Sequence, residues 1–258
     1  METDKSCCKI EICDNHTGKM VGINSISTAV LANEFCKKQR AIAGSICSHC
    51  YAESMSRMYG LLNEKLLRNT EALTSSILAE DELPDTTGCD IFRFESFGDI
   101  NNETQLINYL NIVKKNPGTR FTLYTKRYAL VGEYFSRVSV EVPTNFTLVL
   151  SSLMVNHKIS LEKFVAMFKL EGKFRRGQVK IFTVYDYDYI VKHYEELNLN
   201  CGSRYCYGCR FCYDENRVEE ISEILKSDQA RVEAFVKTHD PRYIDEQLDI
   251  LSCLDDVY

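Results

Sequence analysis

Residues 120–151 read RFTLYTKRYALVGEYFSRVSVEVPTNFTLVLS. The runs Arg120–Tyr124 (RFTLY) and Phe146–Ser151 (FTLVLS) are rich in β-branched and aromatic residues, the composition of buried strands. Between them Leu130–Val138 carries helical spacing, so the stretch predicts a strand, a helix and a second strand. Parallel strands need a long crossover, and a helix provides one.

The same alternation continues on both sides. Cys89–Phe94 (CDIFRF) and Val179–Tyr185 (VKIFTVY) read as two further buried strands. Met55, Met58, Tyr59, Leu62 and Leu66 recur at intervals of three and four, as do Leu106, Tyr109, Leu110 and Val113, with Asn101 or Asn102 placed to cap the second helix. Leu161–Leu170 fills the last gap, with Ser160 as its N-cap and Glu162 and Lys163 in the first turn. The order αβαβαβαβ predicts an α/β protein with a mainly parallel sheet, wound either as a partial or complete barrel or as an open doubly wound sheet. Periodicity does not choose between them.

After Tyr213 the segments Asn216–Lys226 and Asp228–Lys237 read as amphipathic helices, and the end from Pro241 is acidic. A helical extension packed on the sheet is the expectation, with a partner-binding surface as the alternative. No repeat or Pro/Gly/Ser linker divides the chain, which points to one domain: a core over 14–200, a cysteine loop over 201–213 and the extension over 214–258.

The chain has 258 residues, 45% hydrophobic and 26% charged, enough to bury one substantial core. A net charge of -6 supplies no basic field for bulk nucleic-acid binding. The opening METDKSCCKIEICDNH has no apolar core of a signal peptide, and no apolar run is long enough to span a bilayer, so a cytoplasmic protein is expected. Compartment gives the twelve cysteines their meaning, because clustered thiols in a reducing cytosol are more often metal ligands than disulfides.

Seven of them fall into two groups. The later group reads Cys201-GSRY-Cys206-YG-Cys209-RF-Cys212, four thiols in one loop with gaps of four, two and two. Such gaps let thiolates of a single loop face one centre, as in ferredoxin-type iron–sulfur sites, whereas zinc usually takes its cysteines as two separated pairs. The earlier group reads Cys36-KKQRAIAGSI-Cys47-SH-Cys50. Three thiolates suit a four-iron (4Fe-4S) cluster with one iron left open, and His49 is an alternative fourth donor. A single zinc site on Cys47, Cys50, Cys206 and Cys209 is chemically sound but leaves Cys36, Cys201 and Cys212 without a role. Cys89 and Cys253 read as small apolar residues, and Cys7, Cys8 and Cys13 as bystanders near the start.

Taken together, Cys47-SH-Cys50-YA, Arg93-FESFGD-Ile100, Thr125-Lys126-Arg127 and the late cysteine loop resemble the phage-associated gene-product-eighty-eight family, over about Asn24 to Tyr213. More loosely, they resemble the radical S-adenosylmethionine superfamily. The resemblance implies a partial (β/α) barrel of mainly parallel strands with its open cluster at the C-terminal strand edges. It implies that the free iron chelates the amino and carboxylate groups of S-adenosylmethionine, with His49 against the adenine and Glu95, Ser96, Gly98 and Asp99 receiving the amino group. The cysteine spacing of ten then two departs from the superfamily's three then two. Glu95 and Asp99 also suit a turn and helix cap.

Lys126 and Arg127, and the basic run Lys173–Arg176, are candidates to receive a carboxylate or phosphate, the second run reading first as a solvated helix end. Tyr185, Asp186, Tyr187 and Asp188 follow a strand directly and are weaker candidates. Three functions remain open: a radical S-adenosylmethionine-type enzyme taking a small-molecule ligand at the open cluster, a non-catalytic iron–sulfur protein, and a zinc-stapled interaction module. No Walker loop, H-E-x-x-H, G-x-G-x-x-G or Ser/His/Asp set is present to suggest another class.

Overall fold

The computed structural model describes residues 10–15, 18–139, 141–202 and 205–239. Its elements are β1 (Cys13–Asp14), β2 (Asn24–Ile26), α1 (Glu34–Arg40), α2 (Tyr51–Met58), α3 (Gly60–Ser75), β3 (Ile91–Phe94), α4 (Glu103–Lys115), β4 (Arg120–Thr125) and α5 (Tyr128–Arg137). There follow β5 (Phe146–Ser151), α6 (Leu161–Phe168), β6 (Val179–Tyr185), α7 (Tyr187–Lys192), the one-turn α8 (Cys206–Cys209), β7 (Glu220–Ile224) and α9 (Gln229–His239).

The strands form one sheet in the order β1-β2-β3-β4-β5-β6-β7, parallel throughout except for β1 against β2, and β1 and β7 are not joined. The order never reverses, so the doubly wound alternative, which requires a switch point, does not apply. Right-handed crossovers taken in one direction put their helices on one face of the sheet. Accordingly α3, α4, α5 and α6 pack one against the next.

That outer face holds the main core. Phe92 and Phe94 of β3, Phe121 and Leu123 of β4, and Phe146, Leu148 and Leu150 of β5 meet Leu106, Tyr109 and Val113 of α4 and Val131 and Phe135 of α5. An aromatic column runs through it, with Phe94 stacked on Tyr109 at 4.2 Å and on Phe121 at 5.3 Å between centroids. Asn102 caps α4 by accepting from Gln105 N at 3.0 Å, and Ser160 caps α6 by accepting from Lys163 N at 3.2 Å.

The opposite, inner face is different in kind. The register sets Ser25, Arg93, Thr122 and Thr147 in one row across β2–β5, and Tyr124, Val149 and Lys180 in the next. Among the described residues it is the cysteine loop that packs on this face. Thr122 Oγ1 donates to Cys212 O at 2.8 Å, and the fully buried Lys180 Nζ donates to Asp214 O at 2.8 Å and Val218 O at 2.7 Å.

Four expectations need correction. Asn216–Lys226 is not a helix: Glu220–Ile224 is β7, parallel to β6, because Ile221 and Ile224 satisfy helical spacing while an unpaired sheet edge offers the segment a ladder. The extension therefore does not begin at 214, although α9 matches the second expected helix. The stripe from Met55 to Leu66 spans two helices, since Tyr59 is extended (φ -114°, ψ 92°) between them, and Met58 and Tyr59 lie exposed. Cys13 is no bystander but part of β1, paired with Ser25. Cys7, Cys8, Cys253 and the acidic end from Pro241 lie outside the described residues. Among the described residues no helix is long and apolar enough to cross a membrane.

Candidate functional site

Three separate elements bring Cys36, Cys47 and Cys50 to the C-terminal strand edge. Asn33 caps α1, its Oδ1 accepting from Phe35 N at 2.9 Å and Cys36 N at 3.2 Å, while its Nδ2 donates to Asp99 O at 2.7 Å. The cap of the cysteine helix thus grips the turn after β3. Ser45 starts the short 3-10 turn that carries Cys47, accepting from Ser48 N at 3.0 Å, and Ile46 N donates to Leu153 O at 2.9 Å just past β5. Cys50 opens α2 as its N-cap residue; beside it the Tyr51 hydroxyl donates to Ser96 O and its ring meets Phe97 edge-on at 5.8 Å.

The three thiols share one electrostatic environment. Burial above all, then Asp99, Cys47, Glu95 and Cys50, holds the Cys36 thiol well above its ordinary range. Burial likewise raises Cys47, with Cys50 and Asp99 adding to it and Lys126 and Arg40 opposing. Cys36 and Cys50 also pack in one apolar cluster with Val30, Ala52 and Phe97. His49, between Cys47 and Cys50, is exposed.

The turn Glu95–Asp99 is tied inward. The Glu95 carboxylate is buried beneath α4 and accepts from Tyr109 Oη at 2.7 Å, Gln105 Nε2 at 2.5 Å, Thr28 Oγ1 at 2.9 Å and Thr28 N at 3.2 Å. Burial pushes it up to about 8, against the pull of the Tyr109 and Thr28 hydrogen bonds. Its backbone is left-handed (φ 57°), a strained state for a non-glycine residue that the surrounding network enforces. Asp99 is also raised by burial; its oxygens accept from Thr125 Oγ1 at 2.6 Å, Ile100 N at 2.8 Å and Lys126 N at 2.8 Å. Gly98 sits at φ 82°, and a Cβ there would lie 2.7 Å from Thr28 O, so two independent constraints demand glycine. The Ser96 Oγ is buried with no partner.

The four later cysteines lie on and beside the inner face. Cys201 N donates to Ser222 O at 2.9 Å, a short parallel bridge along β7. Cys206 and Cys212 pack with Met20, Ile23, Ile91 and Tyr213, and Tyr124 Oη donates to Cys212 Sγ at 2.7 Å. Burial raises Cys201 to about 12 and Cys212 to about 11, and it raises Cys206 as well. For Cys206 the cations Lys19 and Arg93 oppose that rise. Lys19 is paired with Glu223.

The strongest electrostatic neighbours of Cys36 and Cys47 include no member of the later group, and those of Cys201, Cys206 and Cys212 include none of the earlier one. Seven thiols thus form a three and a four. Among the described residues no three His, Cys, Asp or Glu side chains are arranged to hold a metal ion. The weaker candidates have structural partners: Asp186 caps α7 by accepting from Tyr189 N at 2.9 Å, Arg175 pairs with Glu215 at 2.9 Å, and Arg176 pairs with Glu219 at 3.4 Å. Arg127 lies over the Phe35 ring at 5.1 Å. Sequence reading missed Asn33, Arg93, Tyr124 and Lys180. The signal for the last three was a polar residue at alternate positions within strands that otherwise read as apolar.

No curated protein and no solved structure matches the chain. The family described as gene product 88 matches residues 11–215, which takes in every element from β1 to the later cysteine group, and the chain belongs to that family.

Proposed function

We propose that this chain is an iron–sulfur protein with a partial (β/α) barrel of the radical S-adenosylmethionine kind, carrying one centre on Cys36, Cys47 and Cys50 and another on Cys201, Cys206, Cys209 and Cys212. The observation that carries the reading is the division of the thiols: three at the C-terminal strand edge, where barrel enzymes place their chemistry, and four on the inner face. The unreversed strand order and one-sided helices support the barrel.

The residues fit such groups. Both candidate donor sets consist of thiols alone, the soft ligands that iron–sulfur clusters take. A tetrahedral zinc site draws its thiolates to corners about 3.8 Å apart, whereas a cluster spreads them over separate irons.

Bound at the three-cysteine group, a cluster with an open iron supplies a place for an amino and a carboxylate group and a source of single electrons. The chain's own part would be to hold that ligand. The unpartnered Ser96 Oγ is a free polar atom at this edge, and Lys126 stands beside Asp99 and Cys47. Glu95 would act by fixing the turn rather than by touching the ligand, because its oxygens are taken up by Thr28, Gln105 and Tyr109.

Anaerobic purification with iron, sulfide and zinc analysis tests this directly. Iron and sulfide in the parent, part of each lost in Cys47→Ser and a different part in Cys206→Ser, is the expected result. Zinc without sulfide, or unchanged metal in both variants, would overturn it. Excess S-adenosylmethionine should shift the electron paramagnetic resonance signal of the parent, and an unmoved signal would leave a non-catalytic iron–sulfur protein.

A further inference from the structure

Arg93 stands at the centre of β3 and points onto the inner face, where a guanidinium has no ordinary reason to be. Its central carbon lies 4.0 Å from the Tyr124 ring centroid, and Nη1 reaches Met20 Sδ at 3.6 Å. Its Nε is sealed from solvent with no hydrogen-bond partner. Among the described residues no carboxylate pairs with it, although every other inward-facing charge has partners: Lys180 has two carbonyls and Glu223 has Lys19. Arg93 as a whole is partly exposed, but a guanidinium with a sealed, unpartnered nitrogen calls for something negative beside it. The groups in reach are Cys212, joined to the same Tyr124 through its hydroxyl, and Cys206. As thiols they carry no charge. Four thiolates around a zinc ion, or around a four-iron cluster in its usual oxidised state, form a dianion.

We propose that Arg93 is the built-in countercharge of a metal centre held by Cys201, Cys206, Cys209 and Cys212, acting partly through Tyr124, whose ring it covers and whose hydroxyl donates to Cys212 Sγ. This rests on the reading that the four thiols hold a metal. Arg93 is a positioning residue that sets how much negative charge the centre carries at ease. Hydrogen bonds and charges just outside the ligands are known to tune such centres, orienting the ligand and stabilising its ionised form. Lys19, paired with Glu223, has less net charge to offer.

The test uses the full chain, reconstituted anaerobically, as parent, Arg93→Lys, Arg93→Met, Tyr124→Phe and Cys206→Ser. Metal retention is followed against a chelator, and the midpoint potential of the centre that Cys206→Ser removes is followed by electron paramagnetic resonance during reductive titration. Arg93→Met should release that metal at least tenfold faster and should lower the potential, because reduction adds negative charge that a nearby cation favours. A tenfold change in the reduced-to-oxidised ratio corresponds to about 59 mV for a one-electron couple. Arg93→Lys should recover most of both effects, and Tyr124→Phe should show a smaller shift of the same sign. Should Arg93→Met not fold, the Tyr124→Phe potential decides, and a parental value there overturns the countercharge. Parental retention and potential in a folded Arg93→Met overturn it equally. Metal content unchanged in Cys206→Ser would instead remove the metal reading beneath it.

Discussion

The two cysteine groups differ in their electrostatic surroundings. The strand-edge group of Cys36, Cys47 and Cys50 lies against buried acids: Asp99 and Glu95 add to the rise of Cys36, with Lys126 and Arg40 in partial opposition at Cys47. At the inner-face group Lys19 and Arg93 oppose the rise of Cys206, while Glu223 adds to the rise of Cys201 and Cys206. Their scaffolds differ as well. The first is assembled from three elements around the cap residue Asn33, and the second is one loop pinned to the sheet by Thr122 and Lys180. A site already provided with countercharge suits a closed, permanently held centre. One lined by buried carboxyls whose charged form burial disfavours suits a centre whose balance is completed by what binds there.

Lys180→Met gives the largest expected effect. It strips the carbonyls of Asp214 and Val218 of their buried charged donor and frees the loop that carries the second group. A loss of about 3 kcal/mol in denaturant unfolding is expected, since hydrogen bonds to charged groups contribute about 1.5–3 kcal/mol each. Metal from the inner-face group should be lost while that of the strand-edge group survives. Loss of both in equal measure would show that the two regions are not separable.

Gly98→Ala is the counterpart at the strand edge. The residue must keep φ 82° and bring a Cβ to 2.7 Å from Thr28 O, a combined penalty of about 2 kcal/mol. Here the strand-edge centre should suffer and the inner-face centre should not. Iron analysis of this variant crossed with Cys47→Ser and with Cys206→Ser assigns the loss.

Which of these features the sequence displayed follows from their range. The strands Phe146–Ser151 and Val179–Tyr185 were visible as apolar runs and match to the residue. β1 and β2 are two and three residues long, too short for any period to register. β7 carries helical spacing in its sequence, Ile221 and Ile224 being three apart, and only the waiting edge of β6 makes it a strand. The thiols could be sorted into two groups from the sequence because cysteines of one loop are neighbours in the chain. Their supports could not be found there, because Lys180 lies 34 residues from Asp214 and Tyr124 lies 88 from Cys212, and no local pattern encodes such a partner. Arg93 and Lys180 inside apolar strands were the one local sign that the inner face is not packed by helices.

Glu95 gives a pH test of the acidic side of the comparison. Its carboxyl is pushed up to about 8 in the fold from an ordinary value of 4.5. Between those values the folded chain keeps a proton that the unfolded chain has lost, so this stabilisation is complete below about 4.5 and fades as pH rises to about 8. Asp99 is raised in the same direction, and Tyr109 and Cys36, which also face Glu95, are raised further and stay protonated across the window. In the metal-free chain Glu95→Gln should therefore flatten the decline without abolishing it. A difference on the order of 1 kcal/mol between parent and variant should appear in unfolding midpoints compared at pH 5 and pH 8. Parallel pH curves would mean that Glu95 is ionised throughout.

His49 should give the smallest effect, and it separates a thiolate-only strand-edge centre from one with an imidazole donor. The residue lies between Cys47 and Cys50 in the chain, yet its side chain is exposed at the end of the 3-10 turn, whereas Cys36 is buried and Cys50 packs against the same small cluster. Removing an exposed side chain with no buried contact changes stability by no more than about 0.5 kcal/mol. If the three thiols hold the centre alone, His49→Ala should keep the parental iron content and unfolding midpoint. Any ligand that stacks on the imidazole would then bind more weakly with the cluster spectrum otherwise unchanged. A donor histidine would show itself differently, by loss of iron on substitution and by parental retention in His49→Cys but not in His49→Ala. That outcome would turn the strand-edge group into a closed four-donor site and remove the contrast between an open centre and a compensated one.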